Sequence, residues 1–373
     1  MKIVSVICGF LLASAVWAAK STAVVIGDTS WLVRSSGAAA GKTLIHTCRE
    51  AGTPQQFQVE YKDGSLLLKD AQGNCFAALN KCGVAVLFSD GDPNSDAEPA
   101  AAVQPLAGPQ VTAALTNSSR TAEQALAELK KLFDAGRISG GQILFIADAG
   151  RTFVVECAPK HIAAQELTRA FCVYSNSWKL PGMDEASTAA SNRAYTVYEK
   201  EWAARELLRQ FRTAHKGITV ADSIAASRFD KNDINADEFT KARDPKDGRS
   251  KIDISVHNDK SAGGFILEVD GEFPEFLSCV YMAPGAPRRA VYLPIPIGAA
   301  MIPQFAASAE ISFGPRDPRI VDFEAGLLRE FETVREEARK LLREGKRDDA
   351  VKLLKENLAR QAAKTSDFLR TVK

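Results

Sequence analysis

Ser21-Thr22-Ala23-Val24-Val25-Ile26-Gly27 is the stretch on which the fold turns, because of what stands before it. Met1 to Ala19 has the form of an export signal. Lys2 supplies the positive start, Ile3 to Val16 is mostly apolar, and Ala15, Ala18 and Ala19 offer small residues for cleavage. The run is too short for a comfortable membrane span. The expectation is a chain exported to the periplasm or the medium and trimmed near Ser21, with Thr22 to Ile26 as a short strand at its new start.

The bulk numbers allow one large domain or two medium ones. The chain has 373 residues, 46% hydrophobic and 25% charged, enough for a large core and against global disorder. A formal net charge of +1 gives no reason to expect nucleic acid or an acidic membrane surface as a partner. Beyond the export signal no membrane contact is expected. Seven cysteines are present, and Cys8 would leave with the signal. The remaining six permit disulfides in an exported chain, and Cys75 with Cys82 is one candidate pair. They lack the CxxC pairing of a zinc site.

Short, turn-bounded apolar runs dominate the first half. Phe57 to Tyr61, Ser65 to Leu68, Cys75 to Leu79 and Val84 to Phe88 are separated by Lys62-Asp63-Gly64 and Ala71-Gln72-Gly73-Asn74. They predict antiparallel hairpins. Gly91 to Gly108 predicts a loop. Thr121 to Ala135 predicts a helix capped by Thr121. Gln142 to Ile146 and Thr152 to Glu156 predict a strand pair around Asp148, whose side chain would shape the turn. Ala189 to Arg212 predicts a helix, Asp230 to Lys251 a charged surface loop, and Lys251 to Val256 and Phe265 to Val269 further strands. Asp230-Lys231-Asn232-Asp233 falls short of a calcium loop: Ile234 replaces an oxygen ligand and the turn glycine is missing. Asp322 to Arg343 and Asp348 to Ala363 predict a helical hairpin, with Leu341, Leu342, Ala350, Leu353 and Leu354 inward. Strands and helices without regular alternation give an α+β layered fold.

Four segments, in order, carry a resemblance. They are Ser21 to Gly27; Asn80-Lys81-Cys82-Gly83-Val84; Ile146-Ala147-Asp148-Ala149 leading to Val155-Glu156; and Ser175-Asn176-Ser177, with Ser191-Asn192-Arg193 after it. Together they resemble the N-terminal nucleophile hydrolases of the linear-amide type, a group of penicillin-related acyltransferases, bile-salt hydrolases and dipeptidases. The resemblance spans roughly Ser21 to Pro303, and His257 and Ala283 to Pro287 look like the family's late strands. It implies a four-layer αββα sandwich over residues 20–320, after a signal at 1–19. A C-terminal helical hairpin at 321–373 would pack against the sandwich or serve a homo-oligomer. It also implies hydrolysis or acyl transfer at a linear amide, with a small-molecule amide or peptide as substrate and no metal or organic cofactor.

The chemistry fits the residues. A terminal nucleophile carries its own α-amino group, with a pKa of about 7.7–8.0, as general base. With four histidines and no GxSxG elbow, a Ser-His-Asp triad has little support. By resemblance, Ser21 stands where the family has cysteine, Asn80 and Asn176 are its oxyanion donors, and Arg193 orients the nucleophile or a substrate carboxylate. The family's arginine–aspartate block is replaced by His46-Thr47-Cys48-Arg49-Glu50. A signal peptidase cutting after Ala18 or Ala19 would leave Lys20 to be removed. Each residue also has an ordinary use: Ser21 opens an edge strand, Asn80 and Asn176 hold turns, and Arg193 lies on a helix surface. Cys48 and His257 would be a buried cysteine and a strand histidine. The competing reading is an inactive relative that keeps the sheet and acts as an exported binding or structural protein.

Overall fold

The computed structural model describes residues 29–34, 43–50, 58–70, 72–91, 105–175, 178–186, 195–215, 217–229, 261–284, 287, 290–302 and 318–371. Several expectations fall outside these residues: the strand at Thr22 to Ile26, the charged segment with its calcium-like stretch, the strand at Lys251 to Val256, and His257.

Two antiparallel sheets make the centre. In one, β3 (Gln58–Lys62), β4 (Ser65–Lys69), β5 (Cys75–Asn80), β6 (Ala85–Asp90), β7 (Gln142–Ala147), β8 (Thr152–Ala158) and β9 (His161–Glu166) follow in chain order. In the other, β1 (Thr29–Arg34), β2 (Thr43–Glu50), β10 (Phe171–Tyr174), β11 (Ser261–Val269), β12 (Cys279–Pro284) and β13 (Leu293–Pro296) lie in the order β10-β1-β2-β11-β12-β13. Turn residues set the first sheet's register. Asp63 and Gly64, at φ 52° and 78°, form the two-residue loop that pairs Lys62 with Ser65. Left-handed conformations at both positions match the strand twist. Asp148 shapes its turn by accepting from Gly150 N and Arg151 N at 2.7 Å each. It also accepts from Ala122 N at 2.7 Å, tying the turn to the start of the helix that precedes β7.

Helices cover both outer faces. On the seven-stranded sheet lie α1 (Gly108–Ser118) and α2 (Ala122–Asp134), the latter capped by Thr121 as expected. On the six-stranded sheet lie α3 (Tyr195–His215) and α4 (Val220–Ser227). Between the sheets, Phe76 meets Phe265 at 5.0 Å and Phe145 meets Tyr174 at 5.6 Å, both edge to face. Strand alternation divides the second sheet's side chains. Phe265, Leu267, Val280 and Met282 enter the core between the sheets, whereas Ile266, Tyr281 and Ala283 pack under Ala204, Leu208 and Ile224. The order is helix, sheet, sheet, helix: the αββα sandwich.

The hairpin α5 (Pro318–Arg343) and α6 (Arg347–Thr371) packs against β13. Gly345, at φ 78°, closes α5. Its N–H reaches Leu342 O, and the N–H of Lys346 reaches Leu341 O, a Schellman ending. Leu327, Phe331 and Leu354 are buried and Leu341 packs on the core, so these side chains are spent inside the chain. Among the described residues Val321 is the exposed large apolar side chain. No described helix is long and apolar enough to cross a membrane.

Cys75 and Cys82 are free thiols, which corrects the candidate disulfide. Cys75 opens β5 and Cys82 lies beyond its end, with roughly 16 Å of strand between them. A bridge needs Cα atoms about 5–6 Å apart.

Candidate functional site

Along the chain, β1 and β10 are the described elements next to Ser21 and Asn176. β10 pairs with β1 as Ser30 with Tyr174 and Trp31 with Val173. The chain leaving β10 at Ser175 toward Asn176 therefore departs from the end of the sheet at which β1 starts. Ser21, Asn176 and Arg193 themselves fall outside the described residues.

Asn80 is described, and its side chain is bonded within the fold. Its side-chain Nδ2 donates to Thr116 O and to Ser119 O, each at 2.8 Å, at the C-terminal end of α1. Its Oδ1 accepts from Cys82 N and Val84 N, each at 3.0 Å. Its backbone N–H donates to Val84 O at 3.0 Å. Every donor is engaged, on the face of the sheet that carries α1. Asn80 pins the β5–β6 turn and closes the end of a helix whose last carbonyls lack partners of their own. Each of its N–H groups has a partner within the fold.

A second group, beside the departure of β10, emerges from the structure. Glu156 on β8 is 0% exposed. Both its oxygens accept from Lys179 N at 2.9 Å and from Leu180 N at 3.1 Å. The Tyr174 hydroxyl bonds to the same carboxylate. Burial pushes the Glu156 carboxyl above its ordinary range, and the bonds from Lys179 N, Leu180 N and Tyr174 offset only part of that rise. The Tyr174 hydroxyl is in turn pushed up, by burial first and then by the Glu156 charge. The Lys179 side chain lies 4.3 Å over the Tyr174 ring and reaches Val173 O and Glu201 of α3. Burial lowers its ammonium, against the pull of Glu201. Trp178 is buried beneath Gly91, where an added Cβ would stand 2.3 Å from the indole. The sequence showed Glu156 as the end of a motif; its bond partners lie too far along the chain for spacing to reveal them.

No protein-family model matches this sequence, and no curated protein matches it. Among solved structures the chain is similar to a penicillin V acylase from Agrobacterium tumefaciens. Identity is 11%, coverage is 76% of this chain and 88% of that one, and the TM-score is 0.39. It is also similar to two mutants of conjugated bile acid hydrolase from Clostridium perfringens. These are 9% and 8% identical, with 71% of this chain and 92% of theirs covered, at TM-scores of 0.42 and 0.43. The four-layer order described above stands on the chain's own contacts.

Proposed function

We propose that the protein is an exported hydrolase or acyltransferase acting on a linear amide, a non-peptide amide or a small peptide, through Ser21 as an N-terminal nucleophile. Ser21 attacks the carbonyl carbon, and its own α-amine takes the hydroxyl proton and returns it to the leaving amine. Asn176 donates to the oxyanion, and Arg193 orients the nucleophile or an anionic part of the substrate. The observation that supports this most is the pairing of β10 with β1, which sends the Ser175 end of β10 out beside the start of β1. The αββα layering agrees with it. The occupied donors of Asn80 favour the second reading, an exported binding protein of the same architecture without the chemistry.

The test is intact mass and N-terminal sequencing of the protein after export from its own cell. A panel of amides follows, penicillin V and conjugated bile acids among them, assayed with the native chain and with Ser21→Ala. A chain beginning at Ser21 that hydrolyses an amide, with activity lost in Ser21→Ala, supports the proposal. A chain that keeps Lys20, or hydrolysis untouched by Ser21→Ala, overturns it.

A further inference from the structure

The four strands that end the two sheets are β3 and β9 in one and β10 and β13 in the other. An edge strand offers unpaired N–H and C=O groups to any second strand, and proteins blunt it with proline, lysine, a bulge or a short length. β13 carries Pro294 and Pro296. β10 is four residues long, and the Lys179 ammonium bonds Val173 O. β3 ends in Lys62 and holds Glu60 in an ion pair with Lys69. β9 has none of these devices. It is six residues long, His161-Ile162-Ala163-Ala164-Gln165-Glu166, and pairs with β8 residue for residue without a bulge. One bond shows which way its backbone groups point. Leu167 N donates to Thr152 O at 2.8 Å, so Leu167 faces β8. Alternation then turns Gln165, Ala163 and His161 toward β8, and Ala164 and Ile162 away from it. Among the described residues no strand pairs with that outer side.

We propose that the outer edge of β9 docks the β9 of a second copy of this chain, as an antiparallel pair about a two-fold axis at Ala163. Residues opposite each other in an antiparallel pair both turn toward the partner strand or both turn away. The axis must therefore pass between two copies of the same residue. At Ala163 it sets Ala163 against Ala163 and His161 against Gln165, and Ile162 and Ala164 exchange N–H and C=O bonds across the axis. A large side chain then faces a small one on the face that carries Ile162. Lys160 falls opposite Glu166, and the charges there are complementary. Arg151 bonds both Glu166 and Glu123, two carboxylates to one guanidinium, and Lys160 of the second copy brings the balancing charge. An axis at Ala164 would instead set Ile162 against Glu166, an apolar side chain on a carboxylate. The pairing carries the seven-stranded sheet of one copy straight into that of the other.

Sedimentation equilibrium of the full chain tests this. One short strand pair is a small interface of the transient kind, so the concentration series should reach about 100 µM. The native chain should approach twice its own mass at the top of the series. Ala164→Pro removes an outward N–H and no bond to β8, and proline is tolerated at such a position. Ala164→Lys sets a charge on the same edge. Both variants should remain monomers with native circular dichroism. Cysteine substitutions read the register. Across the axis the two Ala163 Cα atoms would stand about 4.5 Å apart, within reach of a disulfide. The two Gln165 positions would be offset by four residues, roughly 13 Å along the strands. Under mild oxidation Ala163→Cys should therefore give a covalent dimer at least about tenfold faster than Gln165→Cys or the native chain. A native chain that stays a monomer at about 100 µM overturns the proposal and leaves the edge to another partner. A dimer untouched by Ala164→Lys, or equal cross-linking through Gln165→Cys, also overturns it. If Ala164→Pro does not fold, Ala164→Lys decides by the same criterion.

Discussion

Asn80→Ala separates two employments of one residue. As an oxyanion donor, Asn80 could be truncated at a cost of roughly 10²–10³ in rate with stability intact. As the structure has it, the substitution strands four groups at once: Thr116 O and Ser119 O on α1, and Cys82 N and Val84 N in the turn. A net hydrogen bond is worth about 1 kcal/mol, and a buried group left unpaired costs about 1–3 kcal/mol. Water can reach the half-buried Cys82 but not the sheet side of Val84. The expected loss is therefore about 3–4 kcal/mol. Asn80→Asp is the sharper companion. It keeps the acceptor for the two turn amides but sets a carboxylate oxygen where Nδ2 now stands, 2.8 Å from two carbonyl oxygens. It should be at least as destabilising as alanine, although it is nearly isosteric. Urea unfolding followed by circular dichroism gives both values, with an unchanged m-value showing that the midpoint shift is a stability change. A loss below about 1 kcal/mol in Asn80→Ala, or Asn80→Asp as stable as the native chain, would refute the reasoning.

Two further predictions concern the hairpin. Burial alone would raise the Asp270 carboxyl, but the Arg339 hydrogen bond, the amides of Phe273 and Glu272 and the Arg335 charge outweigh it and hold it well below the usual carboxylate range. A depressed carboxyl contributes stability above its unfolded pKa of about 3.9 and loses it as the pH falls toward the folded value. Arg339→Ala should therefore cost about 3 kcal/mol near neutral pH, the cost of stranding a buried charge, and progressively less below about pH 4. Urea unfolding from pH 2 to 7 would show this, and a penalty independent of pH would count against the pairing. A chain ending before Pro318 should fail to fold. It would expose the partners of Phe331 and Leu354 and leave Glu268 and Asp270 without Arg335 and Arg339. A soluble truncated chain with native near-ultraviolet dichroism would show instead that the hairpin is an appendage.

The hairpins from β3 to β8 were legible because their turns are local chemistry. Asp63-Gly64, Gly73 and Gly83 all take the positive φ their sequence suggests. What the sequence hid is equally specific. α1 begins at Gly108-Pro109 and buries Thr112 and Thr116, polar residues that satisfy themselves on their own helix. Thr112 Oγ1 donates to Gly108 O at 2.9 Å and Thr116 Oγ1 to Thr112 O at 2.8 Å. The strand β13 contains Pro294 and Pro296, which demote it on any propensity scale, yet it lies at the edge of its sheet, where a missing N–H is tolerated. β9 is the opposite failure: an edge strand of half-exposed small and polar residues with no apolar alternation to read. The helix expected over Ala189 to Arg212 is α3, Tyr195–His215, so its existence was legible and its ends were not. The Asn-x-x-Gly pattern at Asn80 fits an oxyanion donor and a turn pin equally well. The deciding partner, Thr116, stands 36 residues away in a helix the sequence had not disclosed.

The joint between hairpin and sheet explains why such features escape a reading of one element at a time. Along α5 alone, Arg335, Arg339 and Arg343 look like a solvent face. Yet Arg335 is 0% exposed and bonds Glu268 at 2.7 Å, Arg339 bonds Asp270 at 2.7 Å, and Arg343 bonds Glu272 at 2.7 Å. Four helical residues rise about 6 Å, and two strand residues advance about 6.6 Å. A basic residue every fourth position on a helix therefore meets an acidic residue every second position along a strand and the chain that continues it. Neither period signals burial by itself. Arg335 also spans Asp270, at 3.3 Å, and Arg339 spans Glu272, at 3.3 Å, so Asp270 and Glu272 are each shared by two arginines and the ladder is continuous. Its charge is most deeply buried at the Glu268 end, where the Tyr281 hydroxyl adds a bond of 2.8 Å and the Phe331 ring packs against Tyr281. The helix α5 is thus held to the central sheet by its most polar residues. The apolar side chains Leu327, Phe331 and Leu354 are buried in the same contact.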